Sequence, residues 1–218
     1  MIISKQKSFD DLLKSLARYK SLFLLGCSEC AALCGTGDEN AISEMKDALE
    51  NAGKVITGSF IPKTGCQVLG TKIELKPFKE AIERSDAILV MSCGAGTQAI
   101  VELFKDKPVY PANDTIFLGN MTRFRHFDER CSLCGECILN KTGGICPITT
   151  CPKGLLNGPC GGTNNGMCEV NPDIECAWVR IYNRLKDIDR LDDMKEILEP
   201  KDYSKHLKPV AITPKKKE

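Results

Sequence analysis

The stretch from Cys131 to Cys176 most constrains this chain. It holds eight cysteines, Cys131, Cys134, Cys137, Cys146, Cys151, Cys160, Cys168 and Cys176, among many glycines and few large apolar side chains. Such a segment cannot close a hydrophobic core on its own, so its order has to come from something its thiols bind. Five more cysteines, Cys27, Cys30, Cys34, Cys66 and Cys93, lie upstream in chain of ordinary apolar patterning. Thirteen thiols cannot all pair. The N-terminus, MIISKQKSFDD, turns polar after three residues, and no run reaches the ~18 apolar residues of a membrane span. A cytoplasmic location is therefore expected, where thiols stay reduced and dense cysteine means metal rather than disulfides. The only histidines are His126 and His206. Any metal site must then be almost all thiolate, which suits zinc or iron–sulfur clusters. No Cys/His nucleophile pair stands out from the spacing. The net charge of +1 gives no case for nucleic acid or an anionic membrane as partner. The basic run Lys215–Lys217 reads as a solvated tail.

Upstream of residue 120 the pattern alternates. Phe9, Leu12, Leu13, Leu16 and Tyr19 recur at helical spacing behind Ser8, a suitable N-cap, and predict a helix over 8–20. SLFLL at 21–25 predicts a buried strand ending at Gly26-Cys27. A helix over 38–52 starts at Asp38 and stops at Gly53. A strand over 54–60 precedes the loop holding Cys66, and a helix over 75–84 takes Pro77 in its first turn. DAILVM at 86–91 predicts a third strand ending at Ser92-Cys93, followed by a helix over 94–104 and short strands over 108–110 and 115–118. The expected fold is α/β, a parallel sheet of Rossmann or flavodoxin type over 1–120. Ligands of such sheets gather beyond the carboxyl ends of the strands. Cys27, Cys66 and Cys93 each follow a strand, and Cys30 and Cys34 sit in the first loop, so five thiols are available for one four-position metal site. Gly94-Ala95-Gly96-Thr97 opens a helix after a strand, as a phosphate loop would. It lacks the full dinucleotide fingerprint and a Walker lysine, and a helix start equally favours an anionic cluster.

A cysteine-rich, metal-ordered module is expected over 121–190, ending in a helix with Ala177, Trp178, Ile181, Tyr182 and Leu185 on one stripe. A helix over 191–198 and an extended arm with Pro200, Pro209 and Pro214 complete a C-terminal region, 191–218. Within the module, Cys131-x2-Cys134-x2-Cys137 is the opening of a ferredoxin-type cluster motif. The usual short step to Cys-Pro is replaced by ILNKTGGI before Cys146-Pro147, and a second Cys-Pro follows at Cys151. Eight thiols suffice for two four-thiolate sites. One partition puts Cys131, Cys134, Cys137 and Cys176 together and leaves Cys146, Cys151, Cys160 and Cys168 for the other. These residues support two or three [4Fe–4S] clusters, with zinc open as the metal at one four-thiolate site.

The stretch CSLCGECILNKTGGICPITTCPKGLLNGPCGGTNNGMCEV…ECAW resembles the cysteine-rich C-terminal module associated with methylenetetrahydrofolate reductase. Upstream, GCSECAALCGTGDE and LVMSCGAGTQ resemble the N-terminal part of the same proteins. The resemblance is to the small iron–sulfur subunit of the two-subunit reductase of acetogens and related anaerobes. It implies a redox subunit without catalytic residues of its own, in one-carbon metabolism and the Wood–Ljungdahl pathway. That subunit passes electrons to the flavin of a TIM-barrel partner that reduces methylene- to methyl-tetrahydrofolate. The upstream donor, ferredoxin or another redox subunit, stays open. So does a structural alternative, a zinc module that docks and stabilises the catalytic subunit.

Overall fold

The computed structural model describes residues 1–206 and 209–212. Pro214 and Lys215–Lys217 lie outside the described residues. The chain divides into two compact units, Met1–Phe127 and Asp128–Glu218.

The first unit is built on a four-stranded sheet. Its strands are β2 (Ser21–Leu25), β3 (Val55–Phe60), β4 (Ala87–Val90) and β5 (Val109–Pro111), in the order β3-β2-β4-β5, every neighbouring pair parallel. Side chains alternate across a strand, and both faces are covered. Leu22 and Leu24 of β2 and Ala87 and Leu89 of β4 join one apolar cluster. Phe23, Leu25, Ile88 and Val90 join the other. The first cluster is closed by α1 (Phe9–Ser15) and α3 (Glu39–Asn51), through Leu12, Ala41, Ile42, Met45 and Leu49. The second is closed by α5 (Lys79–Arg84) and α6 (Gly94–Leu103), through Ile82 and Ile100. A sheet buried on both faces needs continuous apolar strands, and SLFLL and AILV are such runs. Each fully buried Leu or Phe contributes about 1.5–3 kcal/mol. The doubly wound α/β expectation is met.

Local chemistry sets the helix starts. The Ser8 hydroxyl accepts from the Asp11 amide at 3.2 Å, and the Asp38 carboxylate accepts from the Ala41 amide at 2.9 Å. Several features depart from the sequence expectations. Ile2–Gln6 is a strand, β1, too short and too polar to stand out. It pairs antiparallel with β6 (Asn113–Arg123), which is much longer than expected. β7 (His126–Cys131) completes a sheet of order β1-β6-β7. The helix expected over 75–84 is broken: α4 (Val68–Glu74) precedes it, and Pro77 sits in a 3-10 turn, Lys76–Phe78, because proline supplies no amide to an α-helical ladder. The short α2 is Cys30–Leu33.

The second unit has little regular structure: α7 (Pro147–Thr150), α8 (Ala177–Asp187) and 3-10 turns at Leu191–Lys195 and Tyr203–His206. The helix expected over 191–198 is thus only a 3-10 turn. Trp178, Ile181 and Leu185 form a small core with Cys176, and Ile145, Cys151 and Leu155 pack against it. Trp178 is a packing residue, and the Trp178 indole donates to the Leu155 carbonyl at 3.1 Å. Tyr182 is exposed. The C-terminal segment folds back on its own unit. Asn157 exchanges two hydrogen bonds with the Leu198 backbone at 2.8 and 2.9 Å, and Lys201, Asp202 and Lys205 all bond to Glu136. No described helix is long and apolar enough to cross a membrane.

Candidate metal centres

In chain order the parallel strands run second, first, third, fourth across the sheet. The order reverses between β2 and β4, and a doubly wound sheet binds its ligand in the crevice at that point. Cys27 lies two residues beyond β2, and Cys93 three residues beyond β4. The backbone there is packed as tightly as glycine permits. A methyl group on Gly26 would stand 2.3 Å from the Gly37 carbonyl oxygen, and one on Gly37 would stand 2.3 Å from the Met91 carbonyl oxygen. The loop carrying Cys27 and Cys30 is thereby pressed onto the end of β4. The Cys27 amide donates to the Gly37 carbonyl at 3.0 Å and fixes that approach.

The turn after β3 brings in the third thiol. A Cβ on Gly65 would lie 3.5 Å from Cys27 Sγ, so Cys66 enters beside Cys27. Partial burial pushes the Cys66 thiol up, and negative charge on Cys93, Cys27 and Cys30 pushes it further. Four thiols from three loops therefore share one electrostatic environment. Cys93 is the N-cap of α6; the Gly94 amide at that helix start is taken by Thr115 Oγ1 at 2.8 Å. Cys30 Sγ accepts from the Ile2 amide at 3.4 Å.

Cys34 is not among the thiols whose charge acts on Cys66. Its thiol donates to the Ile2 carbonyl at 3.9 Å, and it lines a polar pocket with Asp38, Glu44 and Arg125.

In the second unit the C-x2-C-x2-C segment bends its backbone toward sulfur. Leu133, at φ +57°, and Gly135, at φ +76°, are both left-handed. The Leu133 conformation costs a non-glycine residue about 1–2 kcal/mol, and the Leu133 amide donates to Cys131 Sγ at 3.4 Å. Hydrogen bonding at the Glu136 backbone, aided by the Lys201 ammonium, holds the Cys134 thiol below its ordinary value. Cys137 is exposed. Further on, Cys160 Sγ lies 3.5 Å from Glu169 Oε1. Pairing with Glu169 raises Lys153, and negative charge on Cys160 and Cys168 adds to it. The Cys168 amide bonds to Ile174, and the Cys176 amide to Gly166, at 2.9 and 2.8 Å. Cys146 caps α7, and Cys151 ends it and packs on the Trp178 core beside Cys176.

All thirteen cysteines are unbridged. Among the described residues, no three His, Cys, Asp or Glu side chains close around a point as ligands of a single ion. Cys27, Cys30, Cys66 and Cys93 are near enough for their charges to act on Cys66 but do not close to that spacing. The donor set suits an iron–sulfur cluster: thiols only, with a backbone amide on Cys30 Sγ. Sequence reasoning missed the part of β1, whose Ile2 backbone meets both Cys30 and Cys34. The apolar pair Ile2-Ile3 is its only signal.

Residues 110–204 match a family model described as "Methylene-tetrahydrofolate reductase C terminal". That range takes in all eight cysteines of the second block. Over that range, less than half of the chain, the sequence is similar to that family. Comparison with curated proteins and with solved structures finds no match.

Proposed function

We propose that this chain is the electron-transfer iron–sulfur subunit of a methylenetetrahydrofolate reductase, relaying electrons to the flavin of a TIM-barrel catalytic partner. The observation that carries the reading is the convergence of Cys27, Cys30, Cys66 and Cys93 at the switch point of the parallel sheet. The similarity of residues 110–204 to a reductase family model supports the choice of a reductase. Clusters held by such thiols carry single electrons.

The chain's own residues have three tasks under this reading. Cys27, Cys30, Cys66 and Cys93 hold one centre in the first unit, and Cys34 is the thiol left over. The eight cysteines of the second unit hold two more. Backbone amides such as that of Leu133 donate to sulfur and so stabilise its negative charge. The apolar shell of Trp178, Ile181 and Leu185 keeps water from Cys176, which is 9% exposed. Under this reading the hydride chemistry belongs to the partner.

The test combines this chain, purified without oxygen, with a flavin-loaded barrel subunit and reduced methyl viologen. Bleaching of the flavin should depend on this chain and should fail with Cys27→Ser or Cys131→Ser. Equal bleaching without the chain would contradict the proposal.

A further inference from the structure

Glu136 sits inside the C-x2-C-x2-C segment, between Cys134 and Cys137, and its carbonyl oxygen has two neighbours. The Cys134 thiol donates to it at 3.5 Å. The Lys201 ammonium, 65 residues further along the chain, donates to the same oxygen. Ammonium and sulfur thus meet across one oxygen atom. Lys201 is half-buried and forms no ion pair among the described residues.

The chain is tied down on both sides of Lys201. Before it, Asn157 exchanges two hydrogen bonds with the Leu198 backbone at 2.8 and 2.9 Å, and Lys141 pairs with Glu196. After it, the Asp202 amide donates to the Glu136 carboxylate at 3.2 Å, and Lys205 pairs with that carboxylate. The Glu136 and Asp202 carboxylates stay anionic. Lys205 holds the first below the usual carboxylate range, and the Ser204 hydroxyl and amide hold the second there. With Lys201 and Lys205 the four charges sum to zero, so position is what sets Lys201 apart. Its ammonium rests on the oxygen that meets the sulfur, and its charge acts on the Cys134 thiol.

Metal binding changes what that oxygen faces. As a free thiol, Cys134 offers it a hydrogen. As a ligand, Cys134 is a thiolate with no hydrogen to give. Sulfur and carbonyl oxygen, both negative, then stand together, and the charge-assisted bond from Lys201 offsets the conflict.

We infer that Lys201 is the counter-charge of the centre held by Cys131, Cys134 and Cys137 and raises its reduction potential. The inference rests on the iron–sulfur reading above. Lys201 is a positioning residue: it binds no metal and acts through the Glu136 carbonyl and through its charge. Reduction moves one electron from a low-potential one-electron donor to the centre; no bond is made and no proton moves. The centre gains a negative charge, so a fixed cation beside it stabilises the reduced form more than the oxidised form.

The test is a redox titration of the full metal-loaded chain, mediated by viologen dyes and followed by electron paramagnetic resonance. At the wild-type midpoint of one centre, Lys201→Met should lower the ratio of reduced to oxidised form about fivefold or more, while the other centres hold theirs. Lys201→Arg keeps the charge and should stay within about twofold of wild type. Iron content and Trp178 fluorescence should match wild type in both. The inference is overturned if Lys201→Met leaves every centre within about twofold of wild type, if all centres shift alike, or if Lys201→Arg shifts as far as Lys201→Met. Iron lost from Lys201→Met but kept in Lys201→Arg would support it, since the charge would then be what holds the centre. Iron lost from both would make Lys201 an anchor of the fold and overturn it. A wild-type chain without iron and sulfide sinks the redox reading itself, whereas iron and sulfide with an unmoved potential sink this inference alone.

Discussion

Gly37→Ala should damage the first unit's centre while leaving the second unit intact. The added methyl would stand 2.3 Å from the Met91 carbonyl oxygen, 2.8 Å from Ala31 Cβ and 3.3 Å from the Cys27 amide nitrogen. None of these neighbours is the free end of a flexible side chain. Met91 continues β4, whose buried run Ile88–Val90 cannot retreat, so the loop bearing Cys27 and α2 has to lift. Overpacking of this kind costs about 1–3 kcal/mol. For a chain of this size each kcal/mol lowers the melting temperature by about 2–4 °C. The two units need separate probes, because a two-unit chain has no single unfolding transition. Circular dichroism follows the sheet-rich first unit. Fluorescence of Trp178, the only tryptophan, follows the second. The sheet transition should move down while the Trp178 transition stays. Iron should fall by about one cluster, some four atoms per chain, because Cys27 and Cys30 move away from Cys93. An unchanged sheet transition with full iron would refute the argument that this glycine contact sets the thiols.

Leu24→Ala, in the fully buried central strand, should cost about 2–5 kcal/mol by denaturant titration. Asp38→Ala removes the cap of α3 and should cost about 0.5–2 kcal/mol in the same assay. Stripping the metal with acid and chelator should leave Met1–Phe127 resistant to protease and open 131–176 to cleavage, since the first unit has two apolar clusters and the second has one small one; equal resistance of both would count against metal-ordered structure. Cys34→Ser should keep the iron that Cys66→Ser loses, read by metal analysis of each variant; equal loss would return Cys34 to the ligand set.

The parallel sheet was legible because its strands are continuous apolar runs with one identity. SLFLL and DAILVM admit no other buried element of that length, and the strand-end cysteines followed directly. β1 and the long β6 were harder to see. Their burial is one-sided, their pairing is set by partners more than a hundred residues apart, and IISKQ gives too few alternations to register. The break at Pro77 was visible as a proline but not as a boundary, because proline fits a first turn as well as a 3-10 turn. That the first block has five thiols for four positions was legible, but not which one would be left over. That depends on which thiols share charge with Cys66, namely Cys93, Cys27 and Cys30, and on Gly65 lying beside Cys27. In the second unit the C-x2-C-x2-C motif could be read from spacing. The grouping of Cys160 and Cys168 around Lys153 depends on side-chain reach that spacing does not encode.

The central claim is that these thiols hold iron–sulfur clusters. Iron, zinc and acid-labile sulfide should be measured together on the full chain purified without oxygen. The account predicts iron and sulfide in equal amounts, about eight to twelve of each per chain for two or three four-iron clusters. Zinc bound in their place, with no sulfide released, would contradict it.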